Sequence, residues 1–243
     1  MDFRTIQAVE LAGGVGILTL NRPERRNALS VEMRREIMTC MGKWRESPTV
    51  GVMIITGAGE AFTAGFDLTE FSRPELYSEI FETSSAYHRE LWNFPKPTIA
   101  AVNGPALAGG FDLAKLCDIR ICSPKAVFGH PEIKFGIPPL MTPLRWIIGE
   151  GPARHLCLTG KRVDAMEACR IGLVSEVVDA EKLLERAVKI ATEILETPLE
   201  ALKRTKQLMI GVSGLGFEES FCMEHDRIFQ EYLLKKASES AKK

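Results

Sequence analysis

Two glycine-rich stretches of this 243-residue chain combine residue types that can bind a negative oxygen. In the first, ITGAGEAFTAGFDL (55–68), a strand-like apolar run turns through Gly57, Gly59 and Gly65. In the second, NGPALAGGFDLAKLCDIRI (103–121), Gly109 and Gly110 precede a helix-like apolar run whose first turn carries one acid, Asp112. Glycine tolerates positive φ and lets a ligand approach the backbone, so Phe66, directly after Ala64 and Gly65, is expected to offer its main-chain N–H rather than its ring. A helix N-terminus leaves N–H groups without intrahelical partners, and the macrodipole there favours negative charge. The second loop can therefore hold a phosphate, or the two loops together can hold an oxygen that gains charge during a reaction, the arrangement called an oxyanion hole. A dinucleotide-binding loop needs G-x-G-x-x-G leading directly into a helix. The spacing here differs, and Glu60 would sit beside the phosphates. Ordinary turns remain the plain alternative for either loop alone.

The elements that must position these loops read as α/β. Strand-like runs occur at FRTIQAV, VGILTL (15–20), GVMIIT (51–56), PTIAAV (97–102) and DIRICS (118–123). Ser30 suits the N-cap of a helix in which Met33, Ile37, Cys40, Met41 and Trp44 recur at three- and four-residue spacing. A second helix is expected from Pro74 to about Asn93, stopped by FPKP, whose prolines forbid continuation. Strands alternating with helices imply layered α/β structure. After Asp179 the texture changes to three amphipathic helices with no strand between them. The expected organisation is thus an α/β core over 1–179 and a helical region over 180–243, whose apolar faces are expected to pack against another subunit.

Composition narrows the function classes. Hydrophobic residues make up 45% of the chain, enough for a substantial core. Lys plus Arg total 31 and Asp plus Glu total 32, a balance with no footprint for nucleic acid or an anionic membrane. The cysteines Cys40, Cys117, Cys122, Cys157, Cys169 and Cys222 show neither a C-x-x-C pair nor metal-ligand spacing, and read as reduced core thiols. No apolar run is long enough to span a membrane and the start lacks a signal-peptide pattern, so a cytoplasmic location is expected.

The pairing of AFTAGFDL with AVNGPALAGGFDLAKLCDIRI, followed by FGHPEIKFGIPP, resembles the crotonase family of enoyl-CoA hydratases and isomerases. The likeness runs from LNRPERRNALS through LTGKRVDAMEACRIGLVSEVV into the helical tail. It implies a crotonase-like spiral of ββα units and a C-terminal helical region that builds trimers or dimers of trimers. It also implies an acyl-CoA thioester as ligand, with CoA part of the substrate and no separate cofactor or metal. By position, the oxyanion donors fall on the N–H groups of Phe66 and Gly109. CoA contacts fall on Arg25, Ala28, Leu29, Ala64 and Asp67.

The same resemblance places two acids at the reacting carbons, Asp112 and Glu132. In hydratases of the family both are usually Glu and share one water: the residue at 132 exchanges the proton at Cα, and that at 112 deprotonates the water adding to Cβ. Asp112 is one methylene shorter, and a misplacement near 1 Å can cost about 10²-fold in rate. Isomerisation through Glu132 alone is therefore the competing activity. Thioester or β-diketone hydrolysis and a catalytically silent acyl-CoA-binding subunit are further alternatives. Each acid also has a structural reading: Asp112 as a helix first-turn acid, Glu132 as the opener of a short helix after Pro131. Pro139, Leu140 and Met141 replace small residues in the expected acyl-pocket wall, and suggest a branched, cyclic or short acyl group. Leu140 also fills a place where some relatives carry a further Asp. His130 reads as a satisfied structural histidine, Trp44, Trp92 and Trp146 as core or interface, and KRTK (203–206) as a solvated helix face.

Overall fold

The computed structural model describes residues 2–234. They divide into two compact units, the first ending at Thr197 and the second starting at Pro198. The first is built on a six-stranded sheet in the order β1 (Ile6–Leu11), β2 (Val15–Leu20), β3 (Val52–Gly57), β4 (Thr98–Val102), β6 (Ile119–Cys122) and β9 (Glu176–Val177). β1 and β2 form an antiparallel hairpin, and every later neighbour is parallel. A second sheet joins β5 (Ala106–Leu107), β7 (Val127–Gly129) and β8 (Val163–Asp164).

The central strands are apolar at almost every position because both faces are covered. Alternate side chains go to opposite sides. Leu18, Leu20, Met53, Ile55, Ala100 and Val102 join a large core cluster with α1 (Val31–Glu46), α2 (Tyr77–Trp92) and α3 (Gly109–Leu116). Val15, Ile17, Val52, Ile54, Ile99 and Ala101 form a second cluster with Leu183, Ala187, Ile190 and Ala191 of α7 (Leu183–Leu195). α4 (Thr142–Ile148), α5 (Glu150–Thr159) and α6 (Ala165–Arg170) follow α3 in the chain, and their buried residues Leu144, Ile148, Ala153, Leu156, Ala165 and Ala168 join the first cluster. α7 is thus the cover of the sheet's second face. The stretch 180–243, read from sequence as one helical region, divides after Thr197 because its first helix buries its apolar stripe on β-strands of the core.

α1 starts where expected: the Ser30 hydroxyl accepts from Met33 N at 3.1 Å. The Glu70 carboxylate adds a second cap, accepting from Val31 N at 2.9 Å. The expected helix from Pro74 opens as a 3₁₀ turn, Pro74–Leu76, before α2 proper. In the second unit, α8 (Leu199–Gly211) is followed by α9 (Phe217–Phe221) and by π-helical turns Cys222–Asp226 and Phe229–Leu234. The sequence's last expected helix continues beyond residue 234, outside the described residues. KRTK is only partly solvated: Lys203 pairs with Glu200 at 2.8 Å, whereas Lys206 is buried. Of the tryptophans, Trp44 is in the core, while Trp146 is half-exposed with its ring 5.6 Å from that of Trp92.

Candidate active site

Two connections leaving neighbouring parallel strands form the site. The loop after β3 is stitched to the β4–β5 turn through Phe62 N and Thr63 N on Pro105 O (3.1 and 3.2 Å) and Leu107 N on Thr63 O (3.2 Å). A third segment closes it, with Leu29 N on Gly65 O at 2.8 Å and Ala64 N on Arg26 O at 3.0 Å. The buried Asn27 side chain holds the carbonyls of Ala58 and Ala61, both at 2.8 Å. Gly65 has φ +95°, and a Cβ there would lie 2.9 Å from Leu107 O and 3.1 Å from Gly109 N. Only glycine allows the loops to meet.

Ala108 connects β5 to α3 at φ 50°, ψ −125°, a conformation costly for a non-glycine residue. Its surroundings enforce it: Ala108 N donates to Gly129 O, and Ala108 O accepts from Phe111 N and Asp112 N. The turn leaves Gly109 as the first residue of α3. Among the hydrogen bonds of the described residues, neither Phe66 N nor Gly109 N has an acceptor. The amides are close, since a Cβ on Gly109 would lie 3.6 Å from Phe66 N.

Asp112 faces the same space from the first turn of α3. The Lys115 ammonium stands 2.7 Å from Asp112 Oδ1, an ion contact without the alignment of a hydrogen bond. Oδ2 has His88 Nε2 at 3.9 Å, and His88 Nδ1 lies 2.7 Å from Ser84 O. Lys115 Nζ also lies 3.0 Å from His130 Nε2 and contacts the Leu140 carbonyl. His130 Nδ1 lies 2.7 Å from Glu132 Oε1. Glu132 sits in a 3₁₀ turn, Pro131–Phe135, and its Oε2 is buried without a partner among the described residues. One polar chain therefore runs from Asp112 through Lys115 and His130 to Glu132. The side chains of Lys115 and His130 are wholly buried.

A cavity of about 1020 Å³ opens on these groups. Ala64, Phe66, His88, Gly109, Asp112 and Glu132 line one part, and Leu68, Phe71, Tyr77, Ile80, Phe81 and Phe135 make the rest largely apolar and aromatic. Ala28 and Ala64 lie on its wall, and the Ala64 carbonyl accepts no hydrogen bond among those of the described residues. Arg25 is exposed on the 3₁₀ turn Pro23–Arg25. Leu29 and Asp67 are off the wall: Leu29 is in the core, and Asp67 pairs with Arg22 at 2.9 Å. Burial alone would raise the Asp67 carboxyl, but hydrogen bonds from Thr69 and Arg22 hold it below the usual aspartate range. Of the expected acyl-wall residues, Leu140 lines the cavity beside Pro138. Pro139 is not among the lining residues, and Met141 packs on the core.

Sequence reasoning passed over three contributors. Lys115 carried a signal, a charge one turn after an acid in an otherwise apolar helix. His88 carried none. Arg34, buried beneath the site, places its guanidinium 4.8 Å over the Phe66 ring while donating to Leu29 O and Thr83 Oγ1. Its pKa is lowered by burial, against the pull of Glu70. Among the described residues no group of three or more His, Cys, Asp or Glu is arranged to hold a metal ion, and no helix is long and apolar enough to cross a membrane.

Comparison with known proteins agrees with this architecture. The enoyl-CoA hydratase/isomerase family model matches residues 10–239. A putative enoyl-CoA hydratase of Thermus thermophilus is 37% identical over 217 residues, covering 86% of this chain and 85% of its own. A hydroxycinnamoyl-CoA hydratase-lyase of Pseudomonas fluorescens is 37% identical over 208 residues, with 82% and 75% covered. The crystal structure of an enoyl-CoA hydratase from Bacillus anthracis superposes with a TM-score of 0.88 at 31% identity, over 92% of this chain and 89% of that one. With a crotonase-like fold and a match along nearly its whole length, the chain belongs to the enoyl-CoA hydratase/isomerase family.

Proposed function

We propose that this protein is an enoyl-CoA hydratase, adding water across the 2,3 double bond of an acyl-CoA thioester. The observation that carries the reading is the convergence of two main-chain amides without acceptors, Phe66 and Gly109, on a cavity lined by two carboxyl groups. A thioester oxygen between the amides accepts the charge that develops when the enolate forms. Asp112 Oδ2 takes a proton from water as its hydroxyl bonds to Cβ, and Glu132, in its acid form, gives the proton at Oε2 to Cα. One proton transfer between the two carboxyls resets the site, so the sum is addition of H and OH. The route calls for no further cofactor, CoA being carried by the substrate. The free Ala64 carbonyl suits the adenine amino group of CoA, and the aromatic lining suits acyl groups bulkier than crotonyl.

The test is loss of the conjugated thioester's ultraviolet absorbance with crotonyl-, branched enoyl- and cinnamoyl-CoA. Turnover should fall by about 10²–10⁴-fold in Glu132→Gln. No turnover of any member, with Glu132→Gln indistinguishable from wild type in every assay, sinks the proposal. A second reading, double-bond isomerisation by Glu132 alone, is favoured by the shorter Asp112 and its tether to Lys115. It requires conversion of 3-enoyl-CoA to 2-enoyl-CoA to survive Asp112→Asn.

Two further elements belong to the proposal. The exposed Phe217, Phe221, Phe229, Tyr232 and Leu233 of the C-terminal unit fit a homotrimer or dimer of trimers. Six cysteines without a disulfide fit a reducing compartment such as the cytoplasm.

A further inference from the structure

We propose that Lys115 and His130 are positioning residues that decide which oxygen of Glu132 exchanges a proton with substrate. The inference rests on the hydratase reading only for its turnover measurement.

An ammonium group has three N–H donors and no acceptor. Lys115 Nζ has two hydrogen-bond partners, His130 Nε2 at 3.0 Å and the Leu140 carbonyl, and an ion contact with Asp112 Oδ1 at 2.7 Å. An imidazole nitrogen that close to an ammonium presents its lone pair, since an N–H on Nε2 would face the ammonium donor against donor inside the protein. The remaining ring proton is therefore on Nδ1, which lies 2.7 Å from Glu132 Oε1 and donates to it. Oε1 is thereby an acceptor in both protonation states of Glu132. The carboxyl proton is confined to Oε2, the buried oxygen that has no partner among the described residues.

The arrangement also joins three parts of the site. Asp112 is in the first turn of the helix that presents the Gly109 amide, Glu132 is in a separate 3₁₀ turn, and Leu140 lines the cavity. One buried cation reaches all three, directly or through His130. Removing it frees the imidazole to take either tautomer, and leaves Asp112 Oδ1 without its counter-charge. The Phe111 ring packs against the imidazole, the two centroids being 4.8 Å apart and the planes tilted by 36°.

The experiment reads the tautomer directly, in the full-length protein without substrate. With ¹⁵N-labelled histidine, long-range ¹H–¹⁵N correlation distinguishes protonated from lone-pair ring nitrogens, and the resonance that disappears in His130→Asn identifies His130. The expected wild-type result is a protonated Nδ1 and a lone pair on Nε2. Lys115→Met should lose that signature, with kcat lowered by about 10²-fold and KM little changed. His130→Asn, which keeps an N–H near the Nδ1 position, should retain more of kcat than His130→Leu. A wild-type Nε2–H tautomer overturns the proposal without needing any variant to fold. So does a folded Lys115→Met with wild-type kcat, or an Asn variant no better than Leu. If no thioester is turned over while the tautomer is as expected, the hydratase reading falls and the assignment of Lys115 and His130 stands.

Discussion

Gly109 and Gly110 are adjacent and chemically identical, yet their surroundings separate them. A Cβ on Gly110 would lie 2.3 Å from the Thr63 carbonyl oxygen, which is fixed by its bond to Leu107 N. A Cβ on Gly109 would meet nothing closer than 3.6 Å, but what it meets is the Phe66 ring and amide. Gly110→Ala must therefore force the two loops apart. Gly109→Ala fits, and replaces glycine by the better helix former, a gain of up to about 1 kcal/mol. Its melting temperature should be at or above that of the wild type while kcat/KM falls about 10²-fold, because the methyl crowds the place where a thioester oxygen would sit. Gly110→Ala should lose both stability and turnover. Thermal scans paired with the thioester assay separate the two, and a Gly109→Ala enzyme of full activity would remove the Phe66–Gly109 pair from the mechanism. The sequence made the glycine loops legible because the backbone freedom of glycine is a local property. It could not rank the two glycines, since the difference lies in Thr63, more than forty positions away. The Lys115–His130–Glu132 chain was hidden for the same reason: Lys115 and His130 are fifteen positions apart, and only the fold brings them together.

At the scale of the element, α2 carries a core residue and a cavity residue side by side. His88 looks into the cavity, while Tyr87 is wholly buried and its hydroxyl has no partner among the described residues. Burial holds the phenol's proton on, with its pKa well above the ordinary tyrosine value. An unsatisfied buried hydroxyl costs roughly 1–3 kcal/mol, whereas an apolar group of the same shape carries no such penalty. Tyr87→Phe should therefore stabilise the protein by about 1 kcal/mol, raising Tm by about 2–4 °C for a chain of this size. Scanning calorimetry measures this, and a lower Tm would mean that the hydroxyl has a partner in solution. Elements of this kind were largely readable: apolar runs gave the central strands, and three- and four-residue spacing with the Ser30 cap gave α1. The short strands β5, β8 and β9 were not, since two residues carry no periodicity and are defined by their partners. The surface that α7 covers was not readable either, because its amphipathic pattern records that one face is buried but not against what.

Across the whole molecule the least conspicuous titratable groups are the thiols, and they set a limit on alkaline stability. None of the six cysteines is in a disulfide, and Cys40 and Cys122 lie in the main core cluster. Burial pushes Cys40 from 9.0 to about 12, with Glu10 adding to the shift. Burial does the same to Cys122, with Cys169 as the second contributor. The unfolded chain releases these protons near pH 9 and the folded chain retains them to about pH 12, so across that window the folded state binds more protons. Stability therefore falls as pH rises, each thiol withdrawing about 1.4 kcal/mol per pH unit, and the contribution is fully present below pH 9. Urea midpoints measured under reducing conditions from pH 8 to 11 should decline steadily above 9. In a Cys40→Ala/Cys122→Ala double variant the starting midpoint should be lower, through lost packing, but the decline shallower. The slope, unlike the starting value, isolates proton linkage from cavity formation. Equal slopes in the two proteins would mean that alkaline loss of structure originates elsewhere, with the thiol of Cys157 and the phenol of Tyr87, both raised by burial, as the next groups of the same sign.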